Sequence, residues 1–269
     1  MVSFHQTITS QCWTSNSFLC VGIDPTPALV EQLYPQTADR FLDFCKSIVE
    51  RVAPYCCALK TNHAFFGAVG QEQQLATFIR WVHAEYPGLP VILDAKRNDI
   101  GSSSARYASE AFHRFEADAV TVNAFMGWDT VEPFLSYEEK GVFILCRTSN
   151  PGSNWIQTIG EPEPVYLRIA EHVQRLAREN TMLVVGATHL DALERVRQTA
   201  PDVWLLIPGV GAQGGDTAEV RRLARRQDGL GIVVNCSRGI TQHDVSAEMY
   251  LHEVEQSAVF WNRALVVKP

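Results

Sequence analysis

Three ionisable side chains that could do chemistry stand close together in the sequence: Asp94, Lys96 and Asp99. They follow the apolar run 90–93, which predicts a short buried strand, and the small residues after them lead into a helix. Side chains two apart on an extended segment point to the same side, so Asp94 and Lys96 are predicted to meet. A nearby carboxylate favours the protonated form of an amine. The segment therefore predicts an ammonium group held by carboxylates where a strand opens into an active site.

The elements that must position these groups form a repeating pattern. Apolar runs predict eight strands, at 18–22, 56–60, 90–94, 119–123, 142–146, 182–186, 203–207 and 231–235. Amphipathic stretches that predict helices separate them, for example at 39–52, 71–86, 165–178 and 217–226. Eight strands alternating with helices predict a (β/α)8 TIM barrel of the α/β class. We expect a single barrel domain over residues 1–269, with a short N-terminal extension (about 1–16) that caps the barrel bottom or packs on a neighbour.

Composition limits the classes of function. The chain has 269 residues, 46% of them hydrophobic, and a formal net charge of -7, which argues against a nucleic-acid partner because phosphate backbones require concentrated positive charge. No uncharged apolar run is long enough to predict a membrane span. The seven cysteines form no CxxC pair and no signal peptide is evident, which fits reduced thiols in a cytoplasmic protein.

Polar residues collect where the predicted strands end. Asp24 follows the first strand, Lys60 and Asn62 end the second, Asn123 ends the fourth, and Ser149 follows the fifth. Taken singly, the side chains of Asp24, Asn62 and Asn123 are each more typical of a helix cap or a turn. Barrel enzymes carry their chemistry at the carboxyl-terminal ends of the strands, so together these residues predict the polar floor of an active site.

The loops after the last two strands have the composition of a phosphate site. Residues 208–216 contain four glycines, Gly211 among them, and Arg238 follows the eighth strand. Glycines let backbone N–H groups approach an anion, and an arginine can bind phosphate through two hydrogen bonds. Such a flexible loop would also suit a lid. The plain alternative is a strand-to-helix turn with Asp216 as the helix cap.

The chain resembles the orotidine 5'-phosphate decarboxylase family, in particular its longer bacterial subgroup. The pattern Asp-x-Lys-x-x-Asp-Ile-Gly runs from Asp94 to Gly101, and further family motifs occur in the family's order at 21–25, 59–66, 147–152 and 208–216. The resemblance implies decarboxylation of orotidine 5'-phosphate to uridine 5'-phosphate (UMP), the last step of de novo UMP biosynthesis. It also implies no cofactor, no metal, and a homodimer whose active site is shared across the interface. Asn98 departs from the glycine that the subgroup is expected to have.

The resemblance also implies roles for individual residues. The catalytic set would be the charged tetrad of Lys60, Asp94, Lys96 and Asp99. Asp99 and Ser103 would enter the partner's site. Asp24 and Lys60 would contact ribose hydroxyls, Ser149 the pyrimidine, and Gln213 and Arg238 the phosphate. The full substrate-binding set is Asp24, Asn62, Ser103, Asn123, Ser149, Gly211, Gln213 and Arg238.

The implied reaction makes a specific demand on Lys96. Loss of the substrate carboxylate leaves a localised carbanion on a ring carbon with no adjacent electron sink, so developing negative charge must be stabilised. Lys96 would stabilise that charge and then protonate the carbon.

Three other functions fit part of the pattern. A metal-dependent phosphosugar lyase or aldolase related to hexulose-phosphate synthase shares the Asp-x-Lys-x-x-Asp motif but needs a further carboxylate for its metal. A Schiff base on Lys96 is disfavoured because flanking carboxylates keep the amine protonated. A noncatalytic phosphate-binding barrel would use the two loops after strands seven and eight but leave the charged trio without a purpose.

Overall fold

A computed structural model describes residues 2–160, 162–211 and 215–268. Eight parallel strands pair in sequence order and close into a barrel. They are β1 Leu19–Ile23, β2 Ala58–Asn62, β3 Val91–Arg97, β4 Ala119–Val122, β5 Gly141–Arg147, β6 Thr181–Val185, β7 Leu205–Pro208 and β8 Ile232–Cys236. The predicted barrel and all eight predicted strands are confirmed. The largest error is at the end of the third strand, predicted at 94 and observed at 97.

Helices surround the barrel. They are α1 Phe4–Thr14, α2 Pro27–Leu33, α3 Arg40–Val52, α4 His63–Gly67, α5 Glu72–Glu85, α6 Gly101–Ser109, α7 Glu132–Leu135, α8 Asn154–Gln157, α9 Val165–Leu176, α10 Leu190–Thr199, α11 Thr217–Ala224, α12 Arg238–Thr241 and α13 Ala247–Ala264. The four helices given as examples from periodicity are α3, α5, α9 and α11. The strands β1 and β6 are buried at every position, as expected for parallel strands covered on both faces. None of the helices in these described ranges has both the length and the apolarity to cross a bilayer.

The N-terminal extension forms α1, which packs at the amino-terminal ends of the strands. Its first residue, Phe4, donates its backbone N–H to the carbonyl of Glu139 at 2.8 Å, just before β5 begins. The Phe4 ring packs edge-on against Phe143, with ring centroids 5.8 Å apart. Residues Phe4, Ile8 and Cys12 are buried at a spacing of four, so one face of α1 closes the barrel bottom. The prediction of a single domain over 1–269 stays a prediction.

The pairing of β3 with β4 contains the irregularity that shapes the site. Leu93 pairs with Val120, but the next pair joins Arg97 to Val122, so β3 has two more residues than β4 between the two pairs. A bulge bends a strand and redirects its side chains. The extra residues fall at Asp94–Lys96, where the charged groups begin.

Candidate active site

A cavity of about 850 Å³ opens at the carboxyl-terminal ends of the strands. This volume is typical of a small-molecule site. One part of its wall is polar and comes from six strands or the loops that follow them: Asp24, Lys60, Asn62, Asp94, Lys96, Thr121, Asn123, Ser149 and Asn235. The other part is apolar: Phe125, Leu145, Trp155, Ile156, Val165, Ile169, Val184 and Leu206.

One carboxylate at the cavity floor binds two lysines. Asp94 Oδ1 lies 2.6 Å from Lys96 Nζ, and Asp94 Oδ2 lies 3.1 Å from Lys60 Nζ. Lys60 and Asp94 are buried, whereas the Lys96 side chain is 48% exposed and faces the cavity. Both ammonium groups line the cavity, and Lys96 is by far the more exposed of the two.

The charges of the two buried groups are mutually dependent. Burial opposes the ammonium of Lys60, but the carboxylates of Asp94 and Asp24 outweigh it and raise the pKa of Lys60. Burial likewise opposes the Asp94 carboxylate, yet Lys60, Lys96 and the Thr121 hydroxyl hold its pKa well below the usual range. At neutral pH both groups are therefore charged.

Asp94 and Lys96 meet, as predicted, but regular strand alternation is not the reason. Lys96 has a φ of 47°, in the left-handed region that side chains other than glycine rarely adopt. It lies within the two-residue bulge of β3, so the backbone turns between the two side chains. The bulge, together with this left-handed residue, brings the ammonium back to the carboxylate.

A smaller cavity of about 200 Å³ adjoins the first and carries the predicted phosphate residue Arg238. The two cavities share one wall, which is formed by Asp24, Ser149, Pro208 and Asn235. Apart from Phe65 on α4, the rest of the small cavity comes from the segments after β7 and β8, including Gly209 at a φ of 101°. The pair of cavities suits a ligand with a ring at one end and an anionic group at the other.

The comparisons with known proteins agree with this geometry. The family model described as "Orotidine 5'-phosphate decarboxylase / HUMPS family" matches residues 17–250. The chain belongs to this family. An orotidine 5'-phosphate decarboxylase from Aromatoleum aromaticum is 46% identical over 242 residues, which cover 87% of this chain and 89% of the relative.

Two solved structures show that the similarity extends to the three-dimensional fold. Leishmania donovani OMP decarboxylase superposes with a TM-score of 0.81 at 34% identity, covering 97% of this chain and 99% of that chain. Leishmania donovani UMP synthase superposes with a TM-score of 0.83 at 36% identity. That match covers 97% of this chain but only 57% of the synthase. The longer bacterial subgroup stays a prediction.

In this orotidine 5'-phosphate decarboxylase family member, several strand-end residues are both turn residues and cavity residues. Asn62 Oδ1 accepts the Ala64 N–H at 3.0 Å and caps α4, while Asp24 Oδ1 accepts the N–H of Asn62 at 3.2 Å. Asn123 Oδ1 accepts the N–H of Phe125 at 3.0 Å. Asp24, Asn62 and Asn123 all line the large cavity, so the cap interpretation does not exclude contact with a ligand.

The loop that carries Ser149 is organised by a buried arginine. Arg147 donates hydrogen bonds to the side chains of Ser153 and Asn154, and to Gln157 Oε1 at 3.2 Å. The segment that follows β5 contains a short 3-10 turn, Pro151–Ser153, and α8. These three bonds from one guanidinium fix the segment that follows β5, where Ser149 lines the cavity.

Three of the predicted site residues do not line either cavity. Asp99 accepts the backbone N–H of Ile100 at 2.7 Å through Oδ1, and Ser103 lies one turn further along, on α6. Gly211 lies against the indole of Trp261. Their contacts with substrate stay predictions. Gln213 lies outside the described residues.

Two turn residues have defined structural roles. Asp216 caps α11 by accepting the N–H groups of Ala218 and Glu219, as the turn interpretation of the glycine loop proposed. Asn98, which stands where the subgroup is expected to have glycine, donates hydrogen bonds to the carbonyl of Asn123 and, at 3.2 Å, to Thr130 Oγ1. Its side chain therefore ties the end of β3 to the loop after β4.

The cavity lining also contains residues that the sequence did not single out, among them Thr121, Asn235, Phe125 and Trp155. Thr121 and Asn235 had a signal, because each is a polar residue within a strand that is otherwise apolar and buried. Phe125 and Trp155 lie on loops and had no periodic signal. Phe125 is 72% exposed and Trp155 80%. Large apolar side chains are common at the mouths of binding pockets.

Proposed function

We propose that this protein converts orotidine 5'-phosphate to UMP and carbon dioxide, with Lys96 as the catalytic acid. The observation that carries this proposal is the reachable ammonium of Lys96, held 2.6 Å from the buried carboxylate of Asp94 at the floor of the cavity. The family and its named relatives support the same reaction.

The reaction needs a group that both stabilises a carbanion and supplies a proton. The bond from the ring carbon to the substrate carboxylate breaks, carbon dioxide leaves, and the electron pair stays on the carbon. The Lys96 ammonium then donates its proton to that carbon, and the neutral amine regains a proton from solvent. Asp94 accepts from the same ammonium and so directs it towards the cavity.

Charge stabilisation by one ammonium does not account for the whole rate enhancement. At ~4 Å and an effective dielectric constant near 20, it lowers the energy of a unit negative charge by roughly 4 kcal/mol. Enzymes typically lower barriers by about 8–23 kcal/mol. Binding energy from the phosphate, collected in the adjoining cavity by Arg238, can supply part of the remainder because it holds the ring against Lys96.

The other proposed contacts follow the position of each residue. Lys60 and Asp24 are assigned to the ribose hydroxyls, because Lys60 binds the same carboxylate as Lys96 and Asp24 lines both cavities. Ser149 lines both cavities and is assigned to the pyrimidine. Asn62 and Asn123 complete the polar wall, and Gly211 and Gln213 are retained as phosphate-loop residues.

We further propose a homodimer in which Asp99 and Ser103 of each chain complete the other chain's site. Neither residue lines the cavities of its own chain, which this arrangement explains. Large exposed apolar side chains after β3, β4 and β5 support an interface at this end of the barrel: Ile100 is 60% exposed, Phe125 72% and Trp155 80%. The seven unpaired, buried thiols support the cytoplasm as the proposed location.

The decisive experiment is an absorbance assay of the purified protein with orotidine 5'-phosphate, run with and without EDTA. The proposal expects formation of UMP at the same rate in both. Binding without turnover would favour a noncatalytic barrel. Turnover of a phosphosugar that EDTA abolishes, with no UMP formed, would favour the metal-dependent lyase or aldolase.

A further inference from the structure

The hydroxyl of Thr121 lies between two charged residues of β3, Asp94 and Lys96. This residue of β4 is 2% exposed and lines the large cavity. Its Oγ1 lies 2.8 Å from Asp94 Oδ1 and 3.0 Å from the backbone nitrogen of Lys96. Both distances are those of good hydrogen bonds.

The direction of each bond is determined by chemistry. A backbone N–H can only donate and a carboxylate can only accept, so the Thr121 hydroxyl accepts from Lys96 and donates to Asp94. The hydroxyl therefore links the backbone of Lys96 to the carboxylate that also binds the Lys96 ammonium. The three groups form a closed ring of contacts.

This link replaces a missing part of the sheet. Between the pairs Leu93 with Val120 and Arg97 with Val122, the β3 backbone bulges away from regular pairing. The Lys96 N–H, in its left-handed conformation, finds the side chain of Thr121 as its partner. A buried N–H without a partner is unfavourable, so the hydroxyl stabilises the bulged backbone that aims Lys96.

We propose that Thr121 is a positioning residue for the decarboxylation: its hydroxyl sets where the Lys96 ammonium stands by tying the left-handed backbone of Lys96 to Asp94. The inference rests on the proposed function, which assigns the role of catalytic acid to Lys96. Thr121 itself donates no proton to the substrate. It acts through the position of Lys96, so its loss should affect the chemical step and not the binding of phosphate.

The test compares Thr121→Val, which keeps the shape but removes the hydroxyl, with Thr121→Ser, which keeps the hydroxyl. For Thr121→Val we expect kcat to fall about ten- to a hundredfold, the cost of a small misplacement of a catalytic group. The KM for orotidine 5'-phosphate and the Kd for UMP should stay within about threefold, since the phosphate contacts are intact. Thr121→Ser should keep kcat within about threefold of the wild type.

A second readout isolates Lys96. Exchange of the UMP ring hydrogen at the reacting carbon for deuterium in D2O is the reverse of the protonation step, so it should slow in Thr121→Val by the same factor as kcat. A crystal structure of that variant should show Lys96 out of the left-handed region or its Nζ displaced from Asp94. Thr121→Ala, which cannot clash, replaces Thr121→Val if the latter does not fold.

Three results would overturn the inference: a hydroxyl-free variant with kcat within twofold of the wild type, a serine variant as slow as the valine variant, or an unchanged exchange rate. These outcomes are separate from a failure of the proposed function, which would appear as a wild-type protein that forms no UMP. In that case the crystal structures of Thr121→Val and Thr121→Ser still decide whether the hydroxyl holds the Lys96 backbone.

Discussion

Asp94 and Lys60, on neighbouring strands, form an ion pair of 3.1 Å in which both side chains are nearly excluded from water, at 11% and 6% exposure. A buried charge that loses its partner is costly, often by several kcal/mol. The ion pair at the floor of the cavity is therefore also a structural element of the barrel.

Removal of Asp94 should destabilise the fold. Asp94→Ala leaves the Lys60 ammonium buried with only Asp24 as a more distant carboxylate, so the free energy of unfolding should fall by about 3 kcal/mol. Urea denaturation measures the change. The matched control is the double variant Lys60→Met/Asp94→Leu, which removes both charges and should lie within about 1 kcal/mol of the wild type. Equal stability of Asp94→Ala and the wild type would show that the pair contributes nothing.

Lys96→Ala should abolish decarboxylation and spare binding. Loss of both charge stabilisation and the proton donor is expected to lower kcat by at least about a thousandfold. The Kd for UMP, measured by calorimetry, should change less than about tenfold because Arg238 and Ser149 are untouched. Lys140→Ala, at the opposite end of the barrel before β5, is the control and should keep full activity. Near-normal turnover by Lys96→Ala would remove the basis of the assignment.

Gly186→Ala should disturb the part of the site around Ser149, the residue proposed to contact the pyrimidine. A Cβ at position 186 would come within 2.8 Å of the backbone of Ser149, so the Ser149 loop has to move. We expect KM for orotidine 5'-phosphate to rise about tenfold, from lost positioning contacts. Gly152→Ala on the same loop is the control, since its nearest new contact would be 3.8 Å away. Equal KM values for the two variants in steady-state kinetics would contradict the close approach of position 186 to Ser149.

Mixed subunits should reveal whether the active site is shared. Lys96→Ala and Asp99→Ala homodimers should each be inactive, because every site lacks one required group. In a hybrid dimer, one site collects both defects and the other none. Random exchange makes about half of the dimers hybrids, so roughly a quarter of the wild-type activity should return. No recovery after exchange verified by mass spectrometry would argue against Asp99 entering a partner's site.

The pH dependence of stability should contain a contribution from His83, far from the cavity. A 2.8 Å hydrogen bond to Asp118 raises the pKa of His83 above its usual value. This stabilisation is full below about pH 6.5, the unfolded pKa, and is lost as the pH rises through the higher folded pKa. Relative to His83→Gln, the wild type should gain up to about 1 kcal/mol at pH 5.5 and less at pH 8.5, since the pair is partly exposed.

Urea denaturation at the two pH values measures the His83 effect. With Asp118→Asn already in place, the His83→Gln change should lose most of its pH dependence. A pH-independent difference between the wild type and His83→Gln would show that Asp118 does not favour the charged imidazole.

Local pattern was sufficient for the barrel and for the main charged residues. The eight strands and four of the helices follow from apolar runs and helical periodicity, which depend on a few neighbouring residues. The polar strand ends at Lys60, Asp94 and Lys96 were recognisable because charge interrupts an apolar pattern. Family motifs then connected these positions to one reaction.

The sequence by itself determined the eight-stranded barrel and the residue types at its rim, whereas the tertiary structure decided how those residues are coupled. Asp94 and Lys60 are 34 positions apart, and Lys96 and Thr121 are 25 apart. Such contacts depend on strand register, and the register of β3 on β4 shifts at the site itself. Regular alternation could predict that Asp94 and Lys96 meet, but not the bulge, the left-handed Lys96 or the hydroxyl of Thr121. Closing the sheet into a barrel brings these distant backbone and side-chain groups within hydrogen-bonding distance.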